Sequence, residues 1–263
     1  MASDQVLQHF HPSEQEFIDK VLDWQDQVTS TYAPVLTPFL NPRQRIVLSQ
    51  ILGKSDDFYY VFWGGYPEAE NQRCLIAPNY FTWQYDDFSL LAIEIDYPRK
   101  FHHLEHRQIL GAILKSGIKR NRLGDIINHD EVWQFFVDET IADYLSMEVK
   151  RIGRSPVSFD CLTNAEQIIS AQSDWTVREA LVSSLRLDAV ISEAWHISRA
   201  KAKNLITAGA VKINWLLTES ANNDIHLGDI ISVRGYGRLR LDDIGQVTRK
   251  GKQRIQLGII ANK

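Results

Sequence analysis

This sequence predicts an α+β protein with three parts in series, and three observations carry that reading. The apolar period changes from helical to strand-like at Phe58, where the run FYYVFW is wholly aromatic or β-branched and Gly64-Gly65 ends it. Strand-like and helical runs then interleave as far as Cys161, as they do in an α+β sandwich. The charge is also divided. Trp175 to Lys263 holds 14 Lys and Arg against 8 Asp and Glu, a balance of +6, although the 263-residue chain as a whole stands at −4. At roughly 100–200 residues per domain, that length suits two or three domains.

Residues 1–57 read as a helical N-terminal unit. Ser13-Glu-Gln-Glu16 has the spacing of a capping box, and Phe17, Val21, Trp24 and Val28 follow at helical intervals. Asn41-Pro42 opens a second helix, with Asn as the cap and Pro at the first turn. Residues 58–161 hold strand-like runs at 58–63, 74–77, 90–95, 132–137 and 157–161, with helical patterns at 104–116 and 138–148. That ββαβαβ-like order predicts a ferredoxin-like or RNA-recognition-like sandwich with its helices on one face. Residues 162–174 are polar and poorly periodic, which suits a linker. Residues 175–263 read as two helices followed by a small antiparallel sheet.

Several functional classes lose support. No apolar run approaches the ~18 residues of a membrane span, and the N-terminus has neither the basic nor the apolar region of a secretory signal. Cys74 and Cys161 lie far apart, outside any C-x-x-C pair, which favours a reducing cytoplasm over a disulfide scaffold. P-loop and Rossmann fingerprints are missing, so no cofactor is expected. His102-His-Leu-Glu-His106 formally matches H-x-x-E-H, a zinc-hydrolase spacing. Pro98 and Phe101 set it at a helix start with no third ligand in view, so a solvated or capping histidine group and no metal are expected.

The informative stretch is SRAKAKNLITAGAVKIN, residues 198–214. Ser198 is placed to cap a helix, and Gly209 ends it, where a left-handed residue closes the last turn cheaply. His196, Arg199, Lys203 and Thr207 fall on one stripe at 100° per residue, with Ile197, Leu205 and Ala208 on the opposite side. Lys201 adds a third cation, and no carboxylate lies among them. Lys212 and Asn214 alternate with Val211 and Ile213 in the strand that follows. Such a one-signed corner suits a phosphate backbone, which Lys and Arg neutralise, or else it is a solvated face.

The run RLDAVISEAWHISRAKAKNLITAGAVKIN…HLGDIISVRGYGRLRL resembles the ribosomal-protein S-four domain, also called the alpha-L RNA-binding motif. Its pattern is matched by Arg186-Leu187-Asp188, Ser198-Arg199, Leu205-Ile206, Gly209, Val211, Ile213-Asn214 and Gly228-Asp229. Where Gly commonly follows the Asn, this chain has Trp215, either a core residue or a stacking platform for an unpaired base. FWGGYPEAENQRCLIAP and HRQILGAILKSGIKRNRLGDI, ahead of that domain, are similar to the YlmH-type RNA-binding proteins. Where those often have H-R-D, this chain has His106-Arg107-Gln108. The resemblance implies a bacterial, cytoplasmic protein linked to the ribosome and to cell division.

The expectation is non-catalytic binding of structured RNA, ribosomal RNA or tRNA, at the ribosome. Arg199, Lys203 and Lys212 would hold phosphates beside Lys201, with Arg186 and Ser198 in support and Asn214 making a polar contact. Lys115, Lys119, Arg120 and Arg122 form a second basic run, either an auxiliary RNA contact or a solvated loop. Two alternatives remain open. One is an RNA-modifying enzyme, since R-L-D also occurs in pseudouridine synthases with Asp as nucleophile. The other is a division-linked scaffold whose acidic N-terminal half binds protein. In the non-catalytic reading Asp188 is simply a first-turn acid favoured by the helix dipole.

Overall fold

The structure, a computed structural model, describes residues 10–170 and 175–261. Helix formation begins slightly before the expected box, because His11 and not Ser13 is the cap. His11 Nδ1 accepts from the Ser13 N–H at 3.3 Å, and Glu14 Oε2 accepts from the His11 N–H at 3.0 Å. A 3-10 turn, Pro12–Glu14, leads into α1, Gln15–Thr31. Glu16 pairs instead with Lys20 at 2.6 Å. Asn41 caps α2, Pro42–Leu52: its Oδ1 accepts from the Gln44 N–H and its own N–H donates to Gln44 Oε1, both at 3.0 Å.

Three strands, β1 (Val35–Leu36), β2 (Phe58–Trp63) and β3 (Arg73–Pro78), form an antiparallel sheet in the order β1-β3-β2. Cys74 and Ile76 on β3 and Phe58 on β2 share one core with Val21, Val28, Val47 and Leu48 of the helices. The boundary expected at 57/58 therefore runs through a core, and the single ββαβαβ sandwich does not form. All six residues of β3 are buried. Its even residues face the helices and its odd ones, Leu75 and Ala77, pack with Phe88. A run apolar on both faces carries no sign of which sheet it joins.

The second sheet uses β4 (Leu90–Asp96), β5 (Leu123–His129), β6 (Val132–Asp138) and, after the short hairpin of β7 (Arg151–Ile152) and β8 (Ser155–Pro156), β9 (Ser158–Leu162). Its order is β5-β6-β4-β9, antiparallel throughout. Helices α3 (His106–Lys115) and α4 (Ala142–Glu148) cover one face, with Ile109, Ile113 and Leu145 against Ile93, Ile95, Phe135 and Val137. The other face is also covered. Ala92, Ile127 and Phe136 meet Phe39, Tyr66, Ile168 and Ile169, so no open aromatic sheet of the RNA-recognition kind is presented. Strand β5 is absent from the sequence-based order because a bulge between Leu123 and Ile126 breaks its alternation. Of the expected linker, residues 171–174 lie outside the described residues. Residues 163–167 are exposed, whereas Ile168 and Ile169 pack down and Ile169 donates its N–H to Gln134 Oε1 at 3.0 Å.

The chain divides between Gln172 and Ser173 into two compact units. The second contains β10 (Thr176–Val182), α5 (Leu187–Ala194), α6 (Arg199–Thr207), β11 (Val211–Ile213), β12 (Leu216–Leu217), β13 (Ile230–Val233), β14 (Gly237–Val247) and β15 (Gln253–Ala261). Its six strands run antiparallel in the order β10-β15-β14-β13-β11-β12. Strand β10, ahead of the helices, has no counterpart in the sequence-based order. It pairs with the end of the chain, from Thr176↔Ile259 to Val182↔Gln253, a partner no local window contains. Val190, Ile191, Ala202 and Ile206 of the helices bury against Val211, Ile231, Leu239 and Leu257 of the sheet. Ala202 and Ile206 thus form the inward face of α6 with Leu205 and Ile197 at its margin, whereas Ala208 is exposed. Among the described residues, no helix is long and apolar enough to cross a membrane.

Candidate nucleic-acid interface

The counter-charge missing from α6 sits on the preceding helix. Asp188, in the first turn of α5, is fully buried. Arg199 Nη2 donates to both of its oxygens at 2.7 Å, and Arg186 Nε and Nη2 approach them at 3.3 and 3.4 Å. Lys203 Nζ lies 3.9 Å away. One buried anion therefore gathers three cations, whose side chains remain 34–51% exposed and carry two excess positive charges outward. Such a carboxylate orients the guanidinium forks, so their ordering entropy is lost on folding and not on binding. Arg186 also donates to Asn222. R-L-D is thus a structural lock between the start of α5, α6 and the loop ahead of β13, a role beyond the helix-dipole account of Asp188.

Burial pushes the Asp188 carboxyl up, but hydrogen bonds from Arg199 and Arg186, with their charges, hold it below the ordinary aspartate value. A depressed folded-state value means that stability is present above the unfolded value and lost as pH falls through the folded one. Thermal unfolding of the second unit should therefore lose ground from about pH 4 downward. An Asp188→Asn variant should be less stable at neutral pH and show a flatter acid dependence. Equal acid slopes in the two proteins would remove Asp188 as the titrating lock.

The other expected residues separate. Ser198 is exposed and caps α6, its Oγ accepting from the Lys201 N–H at 3.2 Å, which is a backbone task. His196 lies before the helix with φ 51° and accepts from Arg178 Nη1 at 3.1 Å, so it is not on the Arg199 stripe. Lys201 lies off that stripe too, with Nζ 5.7 Å from the Tyr236 ring centroid. Lys212 is exposed on β11 directly across from Ser232, which in turn faces Arg238 on β14. Facing residues of an antiparallel sheet point the same way. Lys212, Ser232 and Arg238 therefore share the sheet face turned away from the helices. Asn214 is engaged inside the protein: Nδ2 donates to Asp229 Oδ1 at 2.8 Å, and Oδ1 accepts from the Ile230 N–H at 2.9 Å. The Asn and the Asp of the motif are hence partners that tie the β11–β12 loop to the start of β13, with one amide N–H of Asn214 left over. Trp215 does not join the core of this unit, and its half-buried ring has the Arg238 guanidinium 5.9 Å above it.

In the first unit the basic run 115–122 divides likewise. Arg122 pairs with Asp138 at 3.3 Å and donates to Thr140. Arg120 donates to the carbonyls of Leu123 and Gly124, the latter at 3.3 Å. Lys115, in the last turn of α3, and Lys119 are exposed. Behind them the buried Asp125 accepts four hydrogen bonds. Tyr66 Oη (2.9 Å) and the Glu70 N–H (2.6 Å) reach one oxygen, and the Asn71 N–H (3.0 Å) and Nδ2 (2.6 Å) reach the other. The loop Gly64–Asn71 is folded onto β5 in this way. Gly65 has φ 104°, and a Cβ there would stand 2.3 Å from the Phe136 ring. The formal H-x-x-E-H spacing loses its geometry, because α3 begins at His106 with Glu105 as its cap. Among the described residues, no group of three or more His, Cys, Asp or Glu is placed to hold a metal.

Two family models match the chain, "YlmH, N-terminal" over residues 13–81 and "Putative RNA-binding domain in YlmH" over residues 84–166. Their junction falls between the two sheets of the first unit. A Bacillus subtilis (strain 168) protein named "Ribosome-associated protein quality control protein P2" is 37% identical over 250 residues, covering 95% of this chain and 96% of that protein. Of the solved structures, "Cell division protein ylmH from Streptococcus pneumoniae" matches with 35% identity and a TM-score of 0.53, over 61% of this chain and 98% of that one. A relative similar almost from end to end, and models that tile residues 13–166, place the chain in one family: it belongs to the YlmH family.

Proposed function

We propose that this protein binds structured RNA, ribosomal RNA or tRNA at the ribosome, in the cytoplasm and without catalysis. The second unit, read as an S-four-type module, is the main binding element. The carrying observation is the Asp188 cluster, in which one buried carboxylate presents Arg186, Arg199 and Lys203 as an exposed cationic group. The +6 balance of residues 175–263 and the ribosome-associated name of the Bacillus relative support the same reading. Against a pseudouridine-synthase role, the Asp188 carboxylate is buried and occupied by two guanidinium groups, which leaves a nucleoside no approach to it.

A second reading places the main contact in the first unit, where the model over residues 84–166 carries an RNA-binding description and Lys115 and Lys119 are exposed. Residues 175–263 form a unit with its own core, so the two readings separate in one experiment. Captured ribosomal RNA should follow the 175–263 fragment with most of the affinity of the full chain. If the 1–172 fragment retains it instead, the second reading holds and the first falls.

A further inference from the structure

The β11–β12 hairpin closes with a two-residue loop, Asn214-Trp215, between the paired Ile213 and Leu216. Both loop residues are left-handed, at φ 48° and 67°, which is the type I′ signature that favours Asn-Gly. Asn tolerates that region, whereas a bulky aromatic there is strained. Strain of this kind marks sites where a side chain is needed for something other than folding. Burial does not explain this one, because the ring lies outside the core of its unit and is half-buried on the outer face of the sheet. Its surroundings are cationic: Arg238 stands 5.9 Å over the ring, and exposed Lys212 shares the row that contains Arg238.

We propose that Trp215 is a stacking platform for an unpaired base of the bound RNA, with Lys212 and Arg238 beside it for the adjoining phosphates. The proposal rests on the RNA-binding reading above and adds the class of nucleotide recognised. Aromatic faces accept any base, so the platform distinguishes unpaired from paired RNA and not one sequence from another.

The test uses the full chain with two RNAs, a hairpin whose loop is randomised and a duplex of the same stem. Trp215→Gly restores the residue that a type I′ turn prefers, so its melting temperature should rise. Its affinity for the hairpin should fall about 5- to 150-fold, the equivalent of 1–3 kcal/mol for one stacked base, while duplex affinity is unchanged. Trp215→Phe should keep most of the hairpin affinity. A Gly variant that binds the hairpin like the wild type overturns the platform and leaves the RNA-binding reading standing. A Gly variant that melts lower than the wild type overturns it too, since the ring would then be structural. Failure of the wild-type chain to bind either RNA removes both readings.

Discussion

Alanine at both Arg199 and Lys203 is expected to weaken ribosomal RNA binding whatever the RNA sequence and to flatten its salt dependence. The slope of log affinity against log salt should fall by roughly 0.7–0.9 for each phosphate that is no longer neutralised. The sequence alone suggests that the fold would gain slightly, since like charges at i and i+4 repel by a few tenths of a kcal/mol. The structure reverses that sign. Arg199 supplies the 2.7 Å bonds to a fully buried Asp188, and removing it leaves only the longer approaches from Arg186. A buried acceptor deprived of its donor costs about 1–3 kcal/mol, which outweighs the relieved repulsion. Lys203→Ala is therefore the cleaner probe of phosphate binding, because its 3.9 Å approach to Asp188 leaves both guanidinium bonds in place. Filter binding at several salt concentrations, with a melting curve for each variant, checks both parts. An unchanged slope in the double variant would make the stripe a solvated face.

Asp125→Ala should lower the stability of the first unit by about 3–5 kcal/mol, since charge-assisted hydrogen bonds contribute roughly 1.5–3 kcal/mol apiece and are not additive in a loop that can relax. For a unit of this size, that is a fall in melting temperature on the order of 10 °C. Four donors lose their acceptor together, three of them from the Glu70–Asn71 end of the loop. Phe136 would lose support as well, because Tyr66 stacks on it at 5.1 Å, 22° from parallel. Asp125→Asn keeps one carbonyl acceptor and should recover part of the deficit. Calorimetry decides the matter: a change under about 1 kcal/mol would mean that the loop stands without its carboxylate.

The two basic runs show how far a linear pattern reaches. Arg199 and Arg122 look alike in sequence, as do Lys203 and Lys119. Arg122 is committed to Asp138 and Thr140, and Arg199 to Asp188, while Lys119 is simply exposed. A charge's partner lies in whatever element packs beside it, and composition is silent on that. Asn214 is the reverse case. Its place in an alternating strand suggests an RNA contact, yet the strand ends there and the side chain turns back to Asp229.

What the sequence determined by itself was local. Asn41-Pro42 and Ser198 start helices, and Gly209, at φ 67°, ends one, because each acts through hydrogen bonds or backbone angles within a single turn. The basic excess after Trp175 needs only counting, and the YlmH resemblance needs only motifs in order. The tertiary structure alone decided which strands share a sheet, that β10 meets the last strand, that Asp188 pairs with a neighbouring helix, and that Trp215 stays out of the core. Most of those outcomes depend on segments distant in the chain, 11 residues from Asp188 to Arg199 and 83 from Thr176 to Ile259. Their free energy comes from burying two surfaces against each other, and neither surface alone encodes it.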